Sequence, residues 1–154
     1  DLTGADLRGA NLSGANLSGA YLSGAIGINP HRCTSLLMLL DQPGTIRAYK
    51  LVNEDGQGHV RGGITYEIGG QYSVENANCD AAEHCAAGIS VATLDWCMRE
   101  WVAGYRILIV EFVAADIACI PTATDGKFRL HRCSVVGEKD LVEIGLVTNA
   151  EVTA

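Results

Sequence analysis

Residues 1 to 25 read DLTGA DLRGA NLSGA NLSGA YLSGA, a five-residue unit repeated five times. Leu holds positions 2, 7, 12, 17 and 22, Gly holds 4, 9, 14, 19 and 24, and Ala holds 5, 10, 15, 20 and 25. Neither the 3.6-residue period of a helix nor the two-residue period of a strand generates this spacing. A short fixed period implies small repeating units, each too small to bury its apolar side alone. One large apolar residue per unit, Leu, should point into a narrow core. Ala leaves room beside it, and Gly supplies backbone freedom at the corner. The remaining Asp, Asn, Thr, Ser, Arg and Tyr positions should face solvent.

The units Ala10-Asn11-Leu12-Ser13-Gly14 and Ala15-Asn16-Leu17-Ser18-Gly19 resemble the A(D/N)LXX pattern of the pentapeptide-repeat family. The resemblance implies a right-handed quadrilateral β-helix with four repeats per coil. Leu2, Leu7, Leu12, Leu17 and Leu22 would be its inward core, with Ala5, Ala10, Ala15 and Ala20 as the inward small residues. Some members mimic duplex DNA, but only Asp1, Asp6 and Arg8 are charged here, so a spacer or docking stalk is expected instead. The register breaks at Ile26-Gly27-Ile28-Asn29-Pro30. Five repeats make little more than one coil, so the stub must lean on the rest of the chain, on a partner, or on coils upstream. The chain opens inside the pattern, on Asp1 rather than Met, which suggests further sequence before it.

The expected architecture is therefore α+β. A β-helix stub spans residues 1–28, a capping helix and linker 29–44, and a compact α+β domain 45–154. Ser35-Leu36-Leu37-Met38-Leu39-Leu40, stopped by Pro43-Gly44, reads as a helix that seals the open end of the coil. Strands are expected over Ile46 to Asn53, Ile64 to Ile68, Gln71 to Val74 and Gly88 to Ala92. The glycines between Gly56 and Gly63 predict a mobile loop. Thr93 should cap a helix whose stripe is Leu94, Cys97, Met98, Trp101 and Val102. Tyr105 to Val113 is almost wholly apolar and should be a central strand covered on both faces. Lys127 to Val136 follows as a strand, and Asp140 to Ile144 as a last short helix.

Several pieces of this second part, Ala48 to Val52, Ile64 to Gly69, Cys85 to Ile89 and Thr124 to Arg129, resemble an uncharacterised domain of phage and bacterial proteins. In relatives of that domain a His stands where this chain has Ser90. The resemblance spans roughly residues 46 to 140 and implies no activity.

Composition narrows the partners. The 154 residues are 48% hydrophobic and 19% charged, enough apolar surface to fold rather than stay disordered. No apolar run approaches the roughly 20 residues of a membrane span. The net charge is −7, the wrong sign for a surface that binds nucleic acid or acidic membranes. No signal peptide is visible, so a cytoplasmic or virion location with reduced thiols is expected.

The candidate chemistry is sparse. Lys127, Arg129 and His131 alternate on one strand face with Arg132 beside them, the sole basic concentration in an acidic chain. They are candidates to bind an anion or to pair with carboxylates. His31-Arg32-Cys33 recurs as His131-Arg132-Cys133, so His31, Cys33, His131 and Cys133 form a candidate zinc set, disfavoured by the long separation of the two pairs. Cys79 and Cys85, flanking His84, are a candidate disulfide, while Cys97 and Cys119 read as buried small hydrophobes. An ADP-ribosyl-transfer-like site would draw on Arg47, Ser90, Thr93 and Glu111. No phosphate loop, catalytic triad or H-E-x-x-H motif is present. The favoured reading is a non-catalytic structural protein without cofactor, part of a phage particle or other assembly. It would meet protein partners or copies of itself through the repeat and capping helix. The alternative is a small enzyme or an anion- or nucleotide-binding domain using the Gly56–Gly63 loop and the 127–132 strand.

Overall fold

A computed structural model describes residues 1–12, 14–58 and 63–153. Ser13 of the repeat and residues 59–62 of the glycine loop lie outside the described residues, so the loop expectation is addressed only at its flanks.

The repeat folds as a train of β-turns. In each unit the Ala amide donates to the Leu carbonyl three residues back: Ala5 to Leu2 at 3.0 Å, Ala10 to Leu7 at 3.1 Å, and likewise to Ala25 and Leu22 at 3.0 Å. The glycine falls at the third turn position with φ between +68° and +75°, the left-handed region a type II turn requires there. The Asp/Asn position does more than face solvent. Asp1, Asp6 and Asn16 each accept a hydrogen bond from the amide two residues on, at 2.9–3.1 Å, which pins the turn from its own side chain.

The expected right-handed quadrilateral β-helix is not what these turns build. Twenty-odd residues bring the end of the segment back beside its start. Leu2 donates to the Tyr21 carbonyl (2.9 Å), Gly4 to Ser23 (2.8 Å) and Leu7 to Ile26 (2.8 Å). Among the described residues the pairing amounts to one isolated bridge, Asp6 with Ile26, and no strand. Regular strand pairing lies instead in one open seven-stranded sheet. The physical reason is length: regular strands in a coil are stabilised by further coils stacked on them, and residues 1–26 make little more than one circuit.

The sheet comprises β1 (Ile46–Val52), β2 (Gln71–Ser73), β3 (Ile89–Ala92), β4 (Arg106–Phe112), β5 (Ile117–Cys119), β6 (Lys127–Leu130) and β7 (Arg132–Glu138). Its order is β2-β7-β4-β1-β3-β6-β5, antiparallel at every pairing. The expected balance of helix and sheet gives way to a mostly antiparallel sheet with short helices: α1 (Pro30–Cys33), α2 (Leu94–Glu100) and α3 (Asn149–Val152). The single strand expected from Lys127 to Val136 is two. In the sheet order β6 and β7 stand four strand spacings apart, about 19 Å if flat. Only His131 separates them, a reach of about 7 Å. The sheet must therefore curl strongly, so that one continuous stretch of chain serves both ends.

The inside of the curl holds the larger core. Alternation fills it with Ile46, Ala48 and Val52 from β1, Leu108, Val110 and Phe112 from β4, and Phe128 and Leu130 from β6. The 3₁₀ helix Ser35–Asp41 sets Leu36, Leu37 and Leu39 against this core. The element expected to seal the repeat thus covers the sheet. A smaller cluster, Leu51, Ala92, Cys97 and Ile107, lies under α2 with Trp96, Met98 and Trp101. The helix from Thr93 ends at Trp101, whose backbone is extended and whose ring nitrogen donates to the Tyr105 carbonyl at 2.8 Å. Val102, assigned to its stripe, is exposed. Residues 64–68 are not a strand: Thr65 alone bridges, to Gln57. Residues 140–144 form turns rather than a helix.

Candidate functional site

The repeat leaves its core unfinished. Of the five leucines only Leu22 is buried; Leu2, Leu7, Leu12 and Leu17 remain half-buried, and Ala10 and Ala15 are exposed. Ala10, Leu12, Ala15 and Leu17 line one side of a groove of about 1150 Å³ whose other side carries Arg32 and Cys33 of α1 and Thr34. The repeat is held to the sheet at separate points. Gly19 donates to the Ala123 carbonyl at 2.7 Å, and the Ala123 amide donates to Thr34 Oγ1 at 2.8 Å. Tyr21 packs on His84, ring centroids 5.5 Å apart. Apolar side chains are exposed on both elements: Tyr21 at 60% and Ile26 at 46% on the repeat, Met38 at 59% and Leu40 at 49% on the 3₁₀ helix.

The basic strand is dispersed among separate roles. Arg129 is buried, and its guanidinium donates to three backbone carbonyls, Asn78 at 3.0 Å, Asp80 at 2.9 Å and Glu83. It shapes the 78–83 loop from inside, with three of its five N–H donors committed to that backbone. Lys127 shares that face; its Nζ lies 3.0 Å from Cys85 Sγ and 5.9 Å from the centre of the Trp96 ring. Arg132 pairs with Asp116 at 2.9 Å. The His131 amide donates to the Asp116 carbonyl at 2.7 Å. Lys127, Arg129, His131 and Arg132 thus do not converge on one anion site.

Sequence reading missed Lys50. Alternation along β1 sets it with Ile46, Ala48 and Val52 on the core side, and that run was the available signal. Its Nζ donates to the Ser90 carbonyl at 2.7 Å and sits 4.4 Å from the centre of the Tyr66 ring. No carboxylate pairs with it among the described residues. Burial lowers its pKa from 10.5 to about 8, with nearby Cys133 and Cys97 opposing the shift. Burial likewise pushes Tyr66 up, Cys133 to about 11 and Cys97 to about 12.

Of the other expected constellations, two members meet. Arg47 and Glu111 face each other across β1 and β4 as an ion pair at 3.2 Å, and Ser90 has its carbonyl on Lys50. Of the ADP-ribosyl-transfer-like set the structure therefore joins Arg47 to Glu111, while Ser90 stands on β3 with its backbone carbonyl taken by Lys50. Cys33 lies on α1 and Cys133 is buried on β7. Among the described residues no three His, Cys, Asp or Glu side chains cluster to hold a metal ion. Cys79 and Cys85 are both free thiols. Among the described residues no helix is long and apolar enough to cross a membrane.

A repeat of β-turns with an open leucine row, joined to a curled antiparallel sheet, is the class of protein these features define. Residues 1–26 match the family described as Pentapeptide repeats (8 copies), so this segment is a pentapeptide repeat. The match does not extend to residues 46–140, where the resemblance to a phage and bacterial domain finds no support. No curated protein and no solved structure matches the chain.

Proposed function

We propose that the chain is a non-catalytic interaction module that associates with a second copy of itself through the repeat and the adjoining 3₁₀ helix. One observation carries this reading: half-buried Leu12 and Leu17 line an open groove, and Tyr21 and Ile26 stand exposed elsewhere on the same repeat. An apolar surface of this kind is normally covered in use. A second copy fits by charge as well as by shape. The protein carries −7 overall, yet the repeat has only Asp1, Asp6 and Arg8, and Asp6 is neutralised by Arg8 at 2.6 Å. Two repeats therefore meet with little repulsion, and each offers the same five-residue spacing to the other. Within a larger assembly such pairing would serve as a docking stalk.

Sedimentation velocity over a hundredfold concentration range tests the reading. A mass that rises toward the dimer with concentration is expected, and Leu12→Asp with Leu17→Asp should return it to the monomer while the far-ultraviolet spectrum is unchanged. A monomer mass at every concentration overturns the proposal.

A further inference from the structure

We infer that Cys85 and Lys127 are a modification site, a thiol–amine pair that closes into a sulfenamide cross-link when a peroxide oxidises the thiol. Lys127 Nζ lies 3.0 Å from Cys85 Sγ, across 42 residues of sequence. Both partners are held in place. Lys127 belongs to β6, and Cys85 follows the Asn78–Glu83 loop, whose carbonyls are clamped by buried Arg129. Cys85 is exposed, so a small oxidant reaches it.

The other thiols lack this combination. Cys97, Cys119 and Cys133 are buried, and burial pushes each away from the reactive thiolate. Cys33 points at the Asn29 and Pro30 carbonyls, and Cys79 at Ala77.

The chemistry balances in two steps. The Cys85 sulfur attacks one peroxide oxygen, the O–O bond breaks, and one water leaves, giving the sulfenic acid. The Lys127 nitrogen, once it has lost its proton, then attacks that sulfur. The S–N bond forms, the S–O bond breaks, and the hydroxyl departs with a nitrogen proton as a second water. One hydrogen peroxide is reduced to two waters, and the pair is oxidised by two electrons with loss of two hydrogens. The bond ties the 78–87 loop to β6, next to the Tyr21–His84 contact that joins the repeat to the rest of the chain.

Intact and peptide mass spectrometry of the full chain after hydrogen peroxide decides it. The expected product has lost two hydrogens, yields a linked peptide joining Cys85 to Lys127, and is restored by dithiothreitol. Lys127→Arg, which keeps the positive charge against Trp96, should abolish the link and leave oxygen adducts on Cys85. Cys79→Ser should leave the link in full yield. A two-hydrogen loss that survives Lys127→Arg and disappears in Cys79→Ser marks a Cys79–Cys85 disulfide and overturns the inference. Oxygen adducts alone in the unaltered chain overturn it equally.

Discussion

The repeat and the sheet solve the same problem of satisfying backbone groups in opposite ways. In the repeat, each turn is closed by a bond running three residues back, the side chains of Asp1, Asp6 and Asn16 brace their own turns, and a few bonds join residues 2–7 to 21–26. In the sheet they run between strands far apart in sequence, as where Ile46 stands opposite Phe112 and Ile89 opposite Leu130. Local bonds fix the shape of the repeat without burying much: four of its five leucines stay half open. Long-range pairing brings apolar faces together, and the inside of the curl is closed. A strict short period therefore dictates backbone geometry but supplies little stability until something stacks on it.

Paired truncations test that contrast most directly. Phe128, fully buried with its ring edge-on to Phe112 at 5.9 Å, should cost about 3–5 kcal/mol as Phe128→Ala. Leu12→Ala, at a half-open site, should cost about 1 kcal/mol or less. Urea unfolding of the two variants gives the comparison. Equal costs would mean that the repeat is as much a part of the core as the sheet.

The link between the regions is tested next. Arg129→Met strips three carbonyls of their buried donor and should cost about 3 kcal/mol. Hydrogen exchange should quicken first in residues 78–87, with the strand amides of β1 and β4 still protected. Simultaneous loss everywhere would show that the loop is integral to the sheet rather than clamped onto it.

Those two sites also mark where the sequence was and was not legible. The alternation of Lys127-Phe128-Arg129-Leu130 was plain, and Phe128 and Leu130 do enter the core. What alternation cannot say is whether the polar face meets water or another loop. Arg129 is buried because residues 78–83 fold over it, a contact of nearly fifty residues' separation. The glycine period of the repeat was legible to the residue, since each glycine's positive φ is a local demand. Its failure to become a β-helix was not, because that depends on a neighbouring coil. Residues 64–68 alternate as a strand should, yet Ile68 is exposed and only Thr65 is bridged; a strand pattern needs a free edge to join. Of the candidate site, the leucine row was visible in advance, whereas the Cys85–Lys127 approach and buried Lys50 needed the fold.

Lys50 places a weak point inside the strong region. Its ammonium is buried against one carbonyl and one ring face, so Lys50→Met, similar in length and apolar, should stabilise the protein by about 2 kcal/mol at pH 7. The sign of the pH dependence follows from the lowered pKa. Below about pH 8 folded and unfolded chains both hold the proton, and the full penalty applies. Above that the unfolded chain holds more protons than the folded one until 10.5, so stability rises with pH. Cys97 and Cys133, raised from 9.0 to about 12 and about 11, and Tyr66, raised from 10.0, act in the opposite direction once their unfolded counterparts ionise. The clean window is therefore pH 8 to 9. Chemical denaturation there should show the unaltered chain gaining on Lys50→Met; parallel curves would mean that the amine is not desolvated.

The smallest effect separates turn shape from closure within the repeat itself. Gly9 has φ +75° and open space where a Cβ would stand; Gly27 has φ +83°, and a Cβ there would lie 2.5 Å from the Arg8 nitrogen and 2.6 Å from the Leu7 carbonyl carbon. Gly9→Ala thus carries only the left-handed penalty, about 1–2 kcal/mol felt within one turn. Gly27→Ala carries that penalty and also drives backbone against backbone where the circuit closes, beside the Leu7 amide that donates to Ile26. Exchange of the Leu7 amide is the readout. It should lose protection in Gly27→Ala and keep it in Gly9→Ala, and dimer formation should weaken only in the former. If both variants behave alike, closure of the circuit contributes nothing beyond the turns, and the leucine row is organised by the turns alone.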